Sequence, residues 1–158
     1  MSAGILLYRM DDSGLSLFLV HPGGPLWTNR DEGAWSIPKG EIPPEEDPLE
    51  TAIREFHEET GYRVDGPFIE LGSIRQKGGK QVFAWAVEGN CDAASIRSNT
   101  FHLEWPPRSG IIREFPEVDR AAWLNPERAR IKINTAQREF IQRLLDRLES
   151  DSNLRPEE

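Results

Sequence analysis

The chain of 158 residues carries 27 acidic against 19 basic side chains, a formal charge of −8, with hydrophobic residues at 37% and charged residues at 29%. That length fits a single domain with a real core, and that charge disfavours general affinity for nucleic acid duplexes or anionic membranes while leaving room for a small anionic substrate held by local cations. The one cysteine, Cys91, cannot close an internal disulfide, which points to a reducing, cytoplasmic setting; no apolar run is long enough to span a bilayer, and no signal-peptide pattern is present.

Residues 3–9, AGILLYR, read as a buried strand, and DDSG (11–14) as a turn into a second, alternating strand, LSLFLVH (15–21). A long Gly/Pro-rich loop follows (21–33), of the length that often carries function, and WSIP (35–38) reads as a short strand entering a turn. The best-bounded element is a helix: Asp47 suits the N-cap, Pro48 the first helical position, Glu50 a capping box, and Gly61 the left-handed position past the end. PFIELGSIRQ (67–76) and KQVFAWAVEG (80–89) read as a hairpin across KGGK. The stretch 91–110 shows no regular period, VDRAAWL (118–124) holds a last short strand, and 134–150 is an amphipathic helix with Phe140, Ile141, Leu144, Leu145 and Leu148 on one face. The organisation expected is one domain over 1–150 with a frayed polar tail over 151–158.

On the helix from 47 to 60, at about 100° per residue, Leu49, Ala52, Ile53 and Phe56 form one stripe that can pack on a sheet. Glu55, Glu58 and Glu59 form a second arc along its edge. Like charges at that spacing repel. A solvated acidic face is the ordinary explanation, but an arc beside the apolar stripe, Arg54 set to pair with it, and a Gly/Pro-rich loop leading in all point to a shelf for a hard divalent cation, which prefers oxygen ligands.

Gly40, Glu46, Arg54, Glu55, Phe56, Glu58, Glu59, Gly61 and Tyr62 match every fixed position of the Nudix box, G-x5-E-x7-R-E-U-x-E-E-x-G-U with U apolar; Phe56 and Tyr62 are bulkier than the aliphatic residues usual at U. The chain thus resembles the Nudix hydrolases. The resemblance implies an α/β/α sandwich on a mixed sheet, the box helix on one side and the C-terminal helix on the other. It implies hydrolysis of a nucleoside diphosphate linked to another group, with Mg²⁺ or Mn²⁺ on Glu55, Glu58, Glu59 and the carbonyl of Gly40, and with Arg54 and Glu46 as orienting groups. Many members take the general base from a later glutamate. Glu104 and Glu117 are the candidates, and Glu117, six residues before Trp123, resembles the spacing of the dinucleoside tetraphosphate hydrolases more closely.

WSIPKGE (35–41) resembles the W-x-x-P-K-G lead-in of the dinucleoside polyphosphate, diphosphoinositol and RNA 5′-pyrophosphate branches, which places Lys39 to meet a phosphate, and the start SAGILLYR resembles the dinucleoside tetraphosphate hydrolases, which makes Ser2, Ala3 and Gly4 a place of close approach to ligand. Arg75, Lys77 and Lys80 can steer distal phosphates or simply be a solvated hairpin tip. Trp27, Phe101, Trp105 and Trp123 are candidates to stack on a base, although a tryptophan is most often core. Arg108, in the EWPPRSG loop, is a further phosphate candidate, and His57 lies off the carboxylate arc. No zinc spacing, P-loop or dinucleotide glycine fingerprint is present, and Ser36 has no base near it in the sequence. The expected partner is a soluble nucleotide or polyphosphate, a dinucleoside polyphosphate first and a nucleoside triphosphate of the MutT sanitising type second, acted on by a monomer or homodimer. A Nudix fold that binds a nucleotide without cleaving it is the competing class; the complete glutamate trio argues against it.

Overall fold

In the computed structural model, which describes residues 1–154, the opening hydrophobic run is β1 (Ser2–Asp11), returning antiparallel as β2 (Gly14–Pro22). The turn closes for local reasons. Asp11 accepts from the Ser13 amide at 2.8 Å, and Gly14 adopts φ +106°, where a side chain would be strained. β1 is the centre of the sheet. It pairs in parallel with β5 (Gln81–Glu88), whose other edge carries β4 (Ile69–Arg75), while β8 (Val118–Leu124) pairs antiparallel with β2. The strand order is β4-β5-β1-β2-β8, with one parallel pair making the sheet mixed as expected.

β1 and β2 stay together only at their hairpin end. Beyond it they diverge, and the segment 35–41 fills the split: Ser36 bridges Val20, Pro38 accepts from the Ile5 amide at 3.1 Å, and β3 (Lys39–Glu41) pairs with Ser2–Gly4. Gly4 makes the wedge possible, because a Cβ there would stand 2.5 Å from the Pro38 carbonyl oxygen. The small residues at the start of β1 thus accommodate the chain's own backbone.

Because side chains alternate across a strand, β1 feeds two cores. Ile5 and Leu7 join Phe18, Val20 and Val87 under Ala52 and Phe56 of α1 (Pro48–Thr60). Leu6 and Tyr8 face the opposite way, joining Leu17, Leu19 and Val82 against Ala129 of α2 (Pro126–Lys132) and Phe140, Ile141 and Leu144 of α3 (Arg138–Leu154). Three layers result, helix–sheet–helix. At the Glu70–Gly72 bulge in β4, Arg143 of α3 donates to the Leu71 and Ser73 carbonyls at 2.9 Å each, tying the last helix to an irregular strand.

The structure revises several element readings. The irregular stretch contains β6 (Thr100–Glu104), which with β7 (Ile112–Pro116) forms a separate two-stranded sheet. WSIP makes only isolated bridges, and the paired strand is the next three residues. α2 is an additional helix, capped by Asn125 with Pro126 in its first turn. The C-terminal helix begins as a 3-10 turn at Thr135–Gln137 and continues through residue 154, so the expected tail partly extends α3, and 155–158 lie outside the described residues. Among the described residues no helix is long and apolar enough to cross a membrane.

Candidate active site

The site is assembled on α1 by ordinary helix physics. Asp47 accepts from the Leu49 and Glu50 amides at 3.1 and 3.3 Å, and Gly61, at φ +83°, ends the helix. Burial of Ala52 and Phe56 fixes the rotation, so the adjoining arc of Glu55, Glu58 and Glu59 falls beside the wedge that holds Lys39 and Gly40.

One guanidinium organises three carboxylates. Arg54 donates from Nε and Nη2 to Glu46, at 2.8 Å for the shortest contact, and from Nη1 to Glu55 at 3.2 Å and Glu58 at 3.0 Å. The Thr51 hydroxyl also donates to Glu46. These hydrogen bonds, Arg54 first, hold the Glu46 carboxyl below its usual range, while the carboxylates raise Arg54. Glu59 has a different environment. Burial, then the charge of Glu55, pushes its carboxyl up to about 9, with Lys39 pulling the other way. Glu55 is raised too, by burial and then by Glu58. Lys39, half-buried, is lowered by desolvation, against the pull of Glu59.

Gly40 presses directly on Glu55: a Cβ at this position would sit 2.1 Å from the Glu55 carboxyl carbon. A side chain at this position would displace the Glu55 carboxylate from where it now stands. Among the described residues no three carboxylate, imidazole or thiol groups already stand at ion-enclosing spacing; Glu55 and Glu58 are turned toward Arg54. The donors at hand, three carboxylates and a backbone carbonyl, are all hard oxygens and suit a Mg²⁺-like ion. Glu59, partly buried and only partly compensated by Lys39, is the feature that a cation would relieve.

A cavity of about 250 Å³ opens beside this arc, lined by Trp27, Lys39, Glu59, Gln76, Glu117 and Gln137, among others. Glu117, between β7 and β8, is held by its backbone: its amide donates to Asn99 and its carbonyl accepts from Gly23, each at 2.9 Å. The residue is exposed, yet partial burial of its carboxyl raises its pKa, and its charge in turn raises Glu55 and Glu59. Glu104 is elsewhere. It is exposed on β6 opposite Ile112, accepts from the Arg108 amide at 2.7 Å, and does not line the cavity. Trp105 and Arg108 share that hairpin and also stand outside the lining.

Arg75, Lys77 and Lys80 are exposed around the β4–β5 turn, which borders the cavity through Gln76; Lys80 is close enough to depress Lys39. Trp123 is packing, edge-on to Phe18 at 5.3 Å and under Arg9 at 4.2 Å, with its indole N–H on the Cys91 carbonyl. Trp27 does reach the cavity, on a loop pinned at its base. Fully buried His21 bonds Asp119 through Nδ1 at 2.8 Å and the Arg30 carbonyl through Nε2 at 2.6 Å, while Asp31 holds the Trp35 indole and Lys132. Gln76, Asn134 and Gln137 are lining residues that sequence reasoning missed. Uncharged amides in a turn and at a helix start carry no periodic or charge signal.

A family model described as the NUDIX domain matches residues 1–144. The mouse asymmetrical bis(5'-nucleosyl)-tetraphosphatase is 30% identical over 103 residues, covering 61% of this chain and 66% of the mouse protein. The rat protein of the same description is 36% identical over 74 residues, covering 43% of this chain and 50% of its own length. The chain thus spans less than two thirds of the length of these curated relatives. The crystal structure of a Caenorhabditis elegans Ap4A hydrolase binary complex matches with a TM-score of 0.67 at 17% identity, over 95% of this chain and 99% of that one. At that identity the likeness is one of fold.

Proposed function

The chain belongs to the Nudix family, and from that premise we propose that it is a metal-dependent pyrophosphohydrolase whose favoured substrate is a dinucleoside polyphosphate of the diadenosine tetraphosphate kind. The observation that carries the reading is the carboxylate arc of α1 at the edge of a cavity that also holds Lys39, with Glu59 partly buried and lacking a full counter-charge. The mouse and rat relatives, described as tetraphosphatases, favour this substrate class.

Glu55, Glu58, Glu59 and the Gly40 carbonyl would hold Mg²⁺ or Mn²⁺. When bound, such an ion neutralises phosphate oxygens and makes water a better nucleophile. Arg54 keeps Glu55 and Glu58 oriented from behind, and Glu46 in turn orients Arg54. Lys39 takes a phosphate oxygen at the cavity wall. Glu117, raised by partial burial, accepts the proton of the attacking water, a task suited to a carboxylate whose pKa lies above the ordinary range. Attack at phosphorus breaks one P–O anhydride bond, and the leaving phosphate departs with the bonding pair. Trp27 at the mouth offers a flat face to a base. Arg75, Lys77 and Lys80 draw the anionic substrate toward the cavity, and Trp105 and Arg108 contact only its distal end. A buried free thiol, Cys91, supports a reducing, cytoplasmic setting, and the working unit is a monomer or homodimer.

The test is a nucleotide panel, with dinucleoside polyphosphates and nucleoside triphosphates, incubated with Mg²⁺ or Mn²⁺ in ¹⁸O-water. Metal-dependent cleavage that places label in one product phosphate is expected. No cleavage of any nucleotide with either ion overturns the reading.

A further inference from the structure

The amide side of the cavity has a fixed polarity. Gln137 is 1% exposed, and its Oε1 accepts from the Ile37 amide at 3.0 Å. A backbone N–H can only donate, so this contact settles which end of the Gln137 carboxamide is oxygen. The two hydrogens of its Nε2 then go to Ser36 Oγ at 3.0 Å and Gln76 Oε1 at 2.9 Å. Gln76 spends its oxygen on that bond, and its own Nε2 has no partner among the described residues. The residue lines the cavity together with Lys39. Its backbone is held by the hairpin turn: the Gln76 amide donates to the Lys80 carbonyl at 2.8 Å, and its carbonyl accepts from Gly79 at 3.0 Å.

We propose that Gln76 binds a non-bridging phosphate oxygen of the substrate through its Nε2, and that Gln137 is the positioning residue that keeps this donor end turned to the cavity. The inference rests on the pyrophosphohydrolase reading, since such a substrate supplies oxygens that only accept. The match is chemical. Lys39 and Lys80 give positive charge without direction, whereas an amide held at its oxygen gives directed N–H groups. A phosphate chain uses both. A group that must donate to the cavity wall gains nothing here.

The experiment combines steady-state kinetics, on diadenosine tetraphosphate or whichever nucleotide of the panel is cleaved, with equilibrium titration by inorganic tripolyphosphate in Mg²⁺ at pH 8. Gln76→Ala is expected to raise KM about tenfold or more with little change in kcat, the loss typical of one hydrogen bond to a charged group. The tripolyphosphate Kd is expected to weaken by a similar factor. Gln137→Met keeps the size and the neutral charge but removes the amide that holds the Gln76 oxygen, so the Gln76 carboxamide is free to turn either end outward and KM rises in the same direction. The double variant is expected to be no worse than Gln76→Ala. Additive losses, or a Gln137→Met protein with reduced kcat and thermal midpoint but wild-type Kd, would reduce Gln137 to a structural role and overturn the relay. Unchanged KM and Kd in Gln76→Ala overturn the assignment outright, whether or not the Gln137 variant folds. A wild-type protein that binds tripolyphosphate yet cleaves nothing defeats hydrolysis alone, and Gln76 is then judged on Kd.

Discussion

Arg54 and Glu59 divide the electrostatic problem of the carboxylate arc between them. Arg54 compensates Glu46, Glu55 and Glu58 at hydrogen-bond distance, whereas Glu59 is partly buried near Glu55 and is pushed up to about 9. A carboxyl whose folded pKa lies above its unfolded value contributes most below the unfolded value and loses that contribution as pH rises through the folded one. In chelator, the thermal midpoint is therefore expected to fall between about pH 5 and 8.5, in a window above the titration of unfolded carboxyls. Glu55 and Glu117 act in the same direction. Glu59→Gln should flatten the profile, and a wild-type curve that rises across this range would contradict the burial argument. Arg54→Lys keeps the charge but not the fork that reaches three partners. Turnover is expected to drop about tenfold or more, while the partly exposed pairs leave stability within about 1 kcal/mol; kinetics and thermal melting on the same preparation separate the two effects.

At the scale of elements, α1 was the most legible part of the sequence. Its start, end and apolar stripe each follow from local chemistry, and the structure has Asp47, Pro48 and Gly61 in those roles. Asp47→Ala should cost about 1 kcal/mol, the usual worth of such a cap, measured by urea unfolding; loss of less than a few tenths would mean the cap is redundant with the β3 contacts. α2 was missed although Asn125-Pro126 is the same kind of signal, because seven residues are too few to show a period. β6 and β7 were missed for a related reason. Their pairing crosses a long turn, and nothing within either strand announces its partner. Glu104 and Glu117 look alike as isolated glutamates, and their positions differ through this hairpin. It leaves Glu104 exposed on its own sheet and returns the chain so that Glu117 lines the cavity.

For the whole molecule, the decisive feature is the split between β1 and β2 and the segment that fills it. The wedge brings Lys39 and Gly40 against α1, and Gly4 is what lets it in. Gly4→Ala places a Cβ against backbone, which can yield only by moving the wedge. A loss of about 1–3 kcal/mol is expected, the usual cost of overpacking, together with a fall in kcat, although Gly4 does not line the cavity. A variant with full activity and a wild-type melting curve would show that the wedge position is not what sets the site. The carboxylate arc, the box glycine and the helix caps could be read in advance because they depend on residues a few positions apart, where spacing translates directly into geometry. Which glutamate reaches the cavity, which tryptophan is core, and which amides line the cavity were settled only when distant segments met. Side-chain direction there depends on strand pairing and on hydrogen bonds such as Gln137 to Gln76, 61 positions apart, and no local pattern encodes such contacts.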